Sequence, residues 1–320
     1  NASFKTNGWS QWSLNNKLPN SHNDPTPFYA QDKEYQIWLT TLDRSDESTN
    51  SWKCDPDSVD CSDASNYVLV DDAVETNGAG GTNMQWGQYV NGTFHIWRTV
   101  NDGDMAKYEC SPTITAENCN NLGVVINGAD GGGYYDYEED RWHVIAEGAS
   151  VPGFADSNNL TFRKSLGSDG LNYTDERVVF DTEDPVDLGW MTGDPDFVRI
   201  RNSSGNVTEV YGFTDRKPDG GGNYRIQLIK ASGENKTFRS VEQITFKEGG
   251  DLEVLYVPER NGFIGFTEYT DGGTDVGVWT SSGSLGSTVE AEVEYDTDND
   301  SVFEESSGWK SLSASYSQVN

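Results

Sequence analysis

Three features of the sequence predict an all-β fold. One pattern, a polar turn followed by a strand, a tight turn and an aromatic-rich strand, recurs five times along the 320 residues. Each copy continues with a third strand that ends in a turn of small residues, and then a fourth strand. Helical periodicity is essentially absent. Four short strands per repeat form a propeller blade, so the sequence predicts a five-bladed β-propeller with four antiparallel strands in each blade.

The repeats define the predicted organisation of the chain. Residues 21–295 form the propeller, with blades at about 21–72, 80–127, 128–182, 190–247 and 249–295. Residues 1–20 are an N-terminal segment, and residues 296–320 are an acidic loop followed by a strand segment. Two Gly-Trp sequences lie outside the repeats, NGWSQW from Asn7 and SGWKSL from Ser307. Either one pairs with an outer strand to close the ring, or both are ordinary edge strands.

The charge balance excludes several classes of partner. Lys and Arg total 22 against 53 Asp and Glu, a net charge of −31. Such a surface does not bind the phosphate backbone of nucleic acids, and it opposes an anionic membrane surface. Aromatic residues make up 12% of the chain, which argues for a folded protein rather than a disordered one. A folded acidic chain predicts a high-salt environment, where ions screen the self-repulsion, as in a halophile or a virus of halophiles.

Cysteines and glycosylation sequons predict an extracellular location. Cys54 and Cys61 lie close together, as do Cys110 and Cys119, and each pair brackets the turn after a third strand. Without CxxC metal spacing, two local disulfides and an oxidising compartment are expected. No apolar run reaches the length of a membrane span. Asn-x-Ser/Thr sequons predict a secreted glycoprotein at a cell or virion surface; beside those at Asn1 and Asn299 they begin at Asn91, Asn159, Asn172, Asn202, Asn206 and Asn235.

An Asp or Asn opens the first strand of every repeat, namely Asp24, Asn83, Asp130, Asp194 and Asp251. The first strand of each propeller blade lines the central channel, so these side chains are expected to converge near the axis. Converging carboxylates raise one another's pKa values, and a bound cation lowers them. The set therefore suits paired-carboxylate chemistry or cation binding. The alternative is that each residue only caps its own turn.

The sequence Asn23-Asp24-Pro25 resembles the blade-one motif of invertase-like glycoside hydrolases, which are five-bladed propellers. Over about residues 20–285 the chain looks like these enzymes and like the arabinanase and β-xylosidase group. The resemblance implies that Asp24 is the nucleophile of the first group or the general base of the second. Asp130, six residues before Asp136, resembles the blade-three Asp that tunes the pKa of the general acid. SDGLNY from Ser168 resembles a turn common in these folds.

The chain departs from the arabinanase pattern in blade four. That group has Glu-Gly-Pro there, with the Glu as general acid, whereas this chain has Gly193-Asp194-Pro195. Asp194 can act as the general acid only if the strand starts at a shifted position. Asp194-Pro195 also resembles the Arg-Asp-Pro motif, which invertase-like enzymes carry in a different blade. The predicted catalytic residues are therefore Asp24, Asp130 and Asp194, with no secure general acid.

Residues beside the anchor positions are candidates for binding a sugar. Trp86 and Trp190 could stack on a furanose or pyranose face, and Asp251 completes the predicted set of binding residues. His22 and Arg98 could donate hydrogen bonds to hydroxyl groups. The alternatives are that the aromatic rings pack between blades and that His22 is a turn residue.

The acidic segment after the repeats has a calcium-loop pattern. Asp296, Asp298 and Asp300 alternate, which places oxygen ligands around one point. The Gly and Glu usual at the sixth and twelfth positions of such loops are missing, and a glycan at Asn299 would compete for the space. Calcium is therefore a candidate ligand, and no other cofactor is required.

These features predict a secreted, carbohydrate-active propeller. The first hypothesis is a glycoside hydrolase of the arabinofuranosidase, xylosidase or fructosidase type. The second is a noncatalytic propeller that binds a glycan or a glycosylated surface, such as an adhesin or a viral attachment protein. The third is a structural component of a surface layer or filament. Propellers host all three, so the fold alone does not decide among them.

Overall fold

The structure, a computed structural model, describes part of the chain. The described residues are 2–6, 12–18, 22–43, 45–46, 48–76, 84–100, 104–126, 131–147, 160–174, 177–180, 190–201, 207–218, 225–232, 237–244, 250–257, 262–269, 275–281, 289–295, 305–306 and 310–312. Within them, no helix is long and apolar enough to span a membrane.

The described part of the chain is built from 24 strands and one short 3-10 helix, Ala64–Asn66. The strands of the first half are β1 Ala2–Thr6, β2 Trp12–Lys17, β3 His22–Tyr29, β4 Ile37–Asp43, β5 Ser48–Cys54, β6 Val68–Thr76, β7 Met84–Val90, β8 Thr93–Val100, β9 Asp104–Cys110, β10 Cys119–Ile126, β11 Gly131–Asp136 and β12 Arg141–Glu147. Those of the second half are β13 Leu160–Lys164, β14 Arg177–Phe180, β15 Trp190–Arg201, β16 Val207–Pro218, β17 Arg225–Ser232, β18 Thr237–Ile244, β19 Gly250–Val257, β20 Gly262–Tyr269, β21 Asp275–Ser281, β22 Val289–Tyr295, β23 Glu305–Ser306 and β24 Lys310–Leu312.

The strands form four-stranded antiparallel sheets, and the fold is an all-β propeller with four strands per blade. Four sheets consist of consecutive strands, β3 to β6, β7 to β10, β11 to β14 and β15 to β18. A further sheet joins β19, β20 and β21 to β2 from the N-terminal segment. Another joins β22 to β1, β23 and β24.

The pairing of β22 differs from the sequence prediction. The repeat pattern makes β22 the fourth strand of the last blade, beside β21. In the structure β2 occupies that edge of β21, with Trp12 opposite Ser281, and β22 pairs with β1. An open strand edge can pair with any strand that lies alongside it. The local sequence pattern of β22 does not specify which strand lies beside β21.

The first strands of successive sheets lie beside one another. β3 contacts β7, β7 contacts β11, β11 contacts β15, β15 contacts β19, and β19 contacts β3. Because neighbouring strands within each sheet are antiparallel, the turns between first and second strands lie at the end away from where the first strands begin. The first strands of a propeller run in the same direction, as the contacts of Gly133 with Trp86 and of Tyr135 with Gln88 show for β11 and β7. The residues that begin β3, β7, β11, β15 and β19 therefore lie at one end of the molecule.

Among the side chains that the structure describes, apolar clusters between neighbouring sheets form the core. One fills the space between the β19–β21 sheet and the β3–β6 sheet, and includes Leu39, Trp52 and Phe266. A second, with Phe28 and Phe94, lies between the first two sheets. A third, with Trp97 and Trp142, lies between the second and third sheets.

Aromatic side chains pack on glycines of the next first strand. A Cβ on Gly87 of β7 would lie 2.4 Å from the Phe28 ring, and a Cβ on Gly133 of β11 would lie 2.6 Å from the Trp86 ring. These contacts leave no room for a methyl group, so the close approach of adjacent first strands requires glycine.

We expect Gly87→Ala and Gly133→Ala each to lower the free energy of unfolding by about 1–3 kcal/mol through overpacking. Denaturant titration at fixed salt measures the effect. Gly167→Ala is the matched control, because its Cβ would meet only the Asp169 carboxylate, at 3.3 Å. Equal losses at all three positions would show that loss of glycine, rather than the ring contact, sets the cost.

Loops that follow the third strands reach back to the preceding sheet. Disulfides close the first two, Cys54–Cys61 and Cys110–Cys119, which confirms the predicted pairing. In the first loop the Ser62 backbone oxygen accepts from the Asn15 side chain of β2, at 3.1 Å. In the second, the Ile114 backbone oxygen accepts from the Ser51 hydroxyl, at 2.6 Å. Each disulfide therefore holds a loop in the shape that docks it on its neighbour.

The third such loop is held without a disulfide. Lys107 of β9 is fully buried and donates to the Asp169 backbone oxygen and, at 2.8 Å, to Glu109. Gly170, with φ +62°, sits directly on Trp142 and Trp97, where a Cβ would lie 2.7 Å from the first ring. Burial lowers the pKa of Lys107, and the Glu109 carboxylate opposes this shift. The SDGLNY turn is thus a docking element between the second and third sheets.

Candidate functional site

Asp24 has an unusual backbone conformation at the beginning of β3. Its φ is 49°, in the left-handed region, and the register of β3 against β4 shifts between Asn23 and Thr26. A bulge with a left-handed first residue normally uses glycine there, and other residues carry strain. Asp tolerates this conformation better than most residues. The side chain is half-buried and its Oδ2 atom is inaccessible to solvent. The bulge therefore aims one specific carboxylate at the start of the strand.

The same irregularity recurs at the predicted anchors in two other sheets. β15 shifts register between Gly193 and Asp196, and β19 shifts between Gly250 and Glu253. Asp194 and Asp251 therefore occupy in their strands the position that Asp24 occupies in β3. Bulges re-aim side chains, and a bulge repeated at equivalent positions places equivalent residues at the same end of the first strands.

Threonine lies opposite each of these bulges, a feature that the sequence analysis missed. The residue between the paired positions on the second strand is Thr41 in β4, Thr214 in β16 and Thr267 in β20. Trp52 donates its indole N–H to the Thr41 hydroxyl at 2.9 Å, and Trp279 does the same to Thr267 at 2.7 Å. The recurrence of Thr near the end of the second strand, with Trp in the third, was the available signal.

The other predicted catalytic residues are described less completely. The structure gives the backbone of Asp194 within β15, but Asp130 immediately precedes β11 and lies outside the described residues. In the second sheet the register shift falls between Met84 and Trp86, at Gln85, while the anchor Asn83 also lies outside the described residues. A joint site of Asp24, Asp130 and Asp194 therefore stays a prediction.

Trp86 and Arg98 are both in the interior. Trp86 is 1% exposed, and its ring stacks face to face on Trp97 with centroids 3.9 Å apart. Packing between sheets accounts for this burial, since Trp97 covers one face of the ring and the Trp142 ring lies 6.1 Å away between centroids. Arg98 is fully buried on β8, opposite Met84 at the beginning of β7. Its guanidinium group is therefore buried close to the end of the molecule where the first strands begin. The sugar-binding roles of both residues stay predictions.

The remaining predicted residues divide into three groups. For His22, Trp190 and Asp251 the structure gives the backbone position at or near the beginning of a first strand. The sequons at Asn91 and Asn172 are exposed. The other predicted sites lie outside the described residues, namely the calcium ligands Asp296, Asp298 and Asp300 and the sequons Asn159, Asn202, Asn206 and Asn235.

No family model matches the chain. No curated protein matches it in sequence.

Solved structures share the fold. An endo-arabinase from Bacteroides thetaiotaomicron superposes with a TM-score of 0.59 at 14% identity, covering 85% of this chain and 100% of that one. An α-L-arabinofuranosidase from Clostridium thermocellum has a TM-score of 0.55 at 8% identity, with coverage of 88% and 92%. A Bombyx mori β-fructofuranosidase, in a mutant complex with sucrose, has a TM-score of 0.56 at 10% identity, with coverage of 90% and 64%.

At these identities the likeness concerns the path of the backbone. It extends over most of this chain, and it includes enzymes of both groups whose motifs the sequence resembles. The protein has the four-stranded-blade β-propeller fold of these glycoside hydrolases.

Proposed function

We propose that this protein is a carbohydrate-active propeller, similar to glycosidases, that acts on glycans at the end of the molecule where the first strands begin. We also propose that it has five blades. The closed succession of contacts from β3 through β7, β11, β15 and β19 back to β3 supports this count, with β2 completing the last blade.

The observation that carries the proposal is the strained, bulged aspartate at the start of β3. Asp24 combines a left-handed backbone, a buried Oδ2 and a position next to the neighbouring first strands. Strain of this kind costs about 1–3 kcal/mol and is concentrated at functional sites, where a side chain must be held in one orientation. Asn91 and Asp140 have a similar φ in β-hairpin turns, so Asp24 is distinguished by the bulge at the start of a first strand and by its buried Oδ2.

Glycoside hydrolysis requires an acid that protonates the leaving oxygen and a carboxylate that acts on the opposite side. We assign Asp24 the second role, as nucleophile or general base. Asp194, in the equivalent bulge of β15, is the candidate acid, and Asp130 is the residue that would tune its pKa. Carboxyl groups about 5–5.5 Å apart would indicate a retaining enzyme, and about 6.5–9.5 Å an inverting one.

The setting we propose is extracellular, glycosylated and rich in salt, at a cell or virion surface. The net charge of −31 and the two disulfides support it. Asn91, in the turn between β7 and β8, is exposed at the end opposite Asp24, as is Asn172 in the loop after β13. Glycans on these residues would leave the proposed site open.

The experiment is a hydrolysis screen of aryl arabinofuranosides, aryl xylosides and fructans in multimolar salt, run beside a binding screen with the matching oligosaccharides. Turnover by the folded protein would support a glycosidase. Saturable binding without turnover would favour the noncatalytic attachment role. Neither turnover nor binding, with the circular dichroism of a folded β-protein, would overturn the carbohydrate proposal and favour a structural role.

A further inference from the structure

A histidine and two carboxylates meet on the β11–β12 hairpin, at the end away from the proposed sugar site. Asp136 ends β11, Glu139 lies in the turn, and His143 lies in β12. Each offers one ligand atom, and these atoms lie within 4.8 Å of one another. We propose that the three residues bind a divalent transition-metal ion such as Zn²⁺, which would clip the hairpin together. The proposal is independent of any activity on sugars.

The His143 ring is held in one orientation. It is fully buried, and it packs edge-to-face against Tyr134 at 5.0 Å and Phe162 at 5.3 Å. Tyr134 lies directly opposite in the strand register, and its hydroxyl is 2.9 Å from Nδ1. Metal-binding histidines usually engage their second ring nitrogen in such a contact, which fixes the tautomer and the ring. With Tyr134 accepting from Nδ1–H, Nε2 carries the lone pair that a metal requires.

The carboxylates are close to ligand spacing. Glu139 Oε2 is 3.6 Å from His143 Nε2, the nitrogen offered to the metal. Asp136 Oδ2 is 3.9 Å from the other ring nitrogen, Nδ1, and the three ligand atoms lie within 4.8 Å of one another. Zinc bonds of about 2.0–2.2 Å in a tetrahedron separate ligand atoms by roughly 3.3 Å. Glu139 therefore needs only a small rotation, and Asp136 completes the set by rotating towards Nε2. The Glu139 side chain is 34% exposed and that of Asp136 is 12% exposed. The ion can therefore enter beside Glu139, and water can fill the remaining coordination position.

The donor set favours a transition metal over calcium. Calcium takes six to eight oxygen ligands, which two carboxylates and an imidazole do not supply. Imidazole nitrogen with carboxylate oxygen suits Zn²⁺ and its neighbours in the first transition row.

The Lys164 ammonium group competes with the metal ion for Glu139. It forms an ion pair with Glu139 Oε2, the same atom that is offered to the metal. Metal binding must displace this ammonium group, so the lysine weakens the affinity for the ion. Removing Lys164 should therefore strengthen metal binding. Removing a surface lysine that does not contact the three ligand residues should have little effect.

The test uses the full chain, freed of metal and kept at fixed salt. Co²⁺ is titrated while its visible absorption is followed, and Zn²⁺ is titrated by calorimetry. We expect one ion per chain. Glu139→Gln should weaken binding at least 10-fold, and Tyr134→Phe, which removes only the contact to Nδ1, about 10-fold. Lys164→Gln should tighten binding several-fold.

Glu138→Gln is the matched control, because it removes the same charge from the neighbouring position of the same exposed turn. The Glu138→Gln variant should bind the metal with unchanged affinity. In the unaltered protein, Zn²⁺ should broaden or shift the His143 ring signals in NMR spectra. Equal weakening by Glu138→Gln and Glu139→Gln would show diffuse attraction to an acidic surface and overturn the proposal. So would the absence of a Co²⁺ absorption band or unchanged His143 signals at saturating Zn²⁺.

Discussion

Asp24→Asn should abolish turnover of any substrate found in the screen, lowering kcat/KM by on the order of 10³-fold or more, equivalent to about 4 kcal/mol of transition-state stabilisation. An amide is neither a nucleophile nor a base, so the substitution removes the proposed role while keeping the shape of the side chain. Asparagine also tolerates left-handed backbone well, so the φ of 49° adds no new strain. Steady-state kinetics and a thermal unfolding scan at the same salt concentration measure both effects.

Asp140→Asn is the control for this substitution. Asp140 also has a left-handed backbone, with φ 54°, but it lies in the β11–β12 turn, where it accepts a hydrogen bond from the Tyr135 hydroxyl. An asparagine oxygen can accept the same bond, so activity should be retained. Near-normal turnover by Asp24→Asn would contradict the assignment of Asp24. Equal loss in both variants would point to a general effect of removing aspartate.

Trp142→Ala should destabilise the fold by about 3–5 kcal/mol, the usual cost of removing a large buried aromatic side chain. Trp142 is fully buried between the second and third sheets, 4.5 Å from the Trp97 ring and 4.9 Å from the Tyr135 ring. Its indole N–H also donates to the Ser168 backbone oxygen at 2.9 Å. The substitution therefore opens a cavity and releases the loop that docks between the sheets. The midpoint of guanidinium unfolding reports the loss.

Tyr137→Ala provides the comparison. Tyr137 belongs to the same hairpin and its ring lies 5.1 Å from that of Tyr135, but its side chain is 44% exposed. Surface substitutions of this kind usually change stability by about 0.5 kcal/mol or less. A cost for Trp142→Ala as small as that for Tyr137→Ala would mean that the second and third sheets do not depend on this aromatic cluster.

Features that depend on neighbours in the sequence were predicted well. Both disulfides join cysteines separated by 7 and 9 residues, and a short loop leaves few alternative partners. The strands that follow one another in four sheets pair as their repeats indicate. The position of Asp24 at the start of a first strand was also predicted, because the turn, the proline and the strand pattern are adjacent.

Features that depend on how strands pair and side chains pack were not predicted. The sequence left the role of Trp86 open between a sugar face and the core, and packing against Trp97 and Trp142 accounts for its burial. The left-handed φ of Asp24 reflects a bulge set by pairing with β4. Asp136, Glu139 and His143 carry no recognisable metal spacing, because a β-hairpin turn brings them together.

The sequence by itself determined the class of fold, the four-strand repeat, the two disulfides and the strands at which the anchor residues lie. Each of these follows from local alternation, turn chemistry and short loops. The tertiary structure decided how the ring closes. β2, near the start of the chain, pairs with the free edge of β21, and β22 pairs with β1 instead. The physical reason is that strand pairing satisfies backbone hydrogen bonds without regard to sequence distance, so the geometry of the free edge selects the partner.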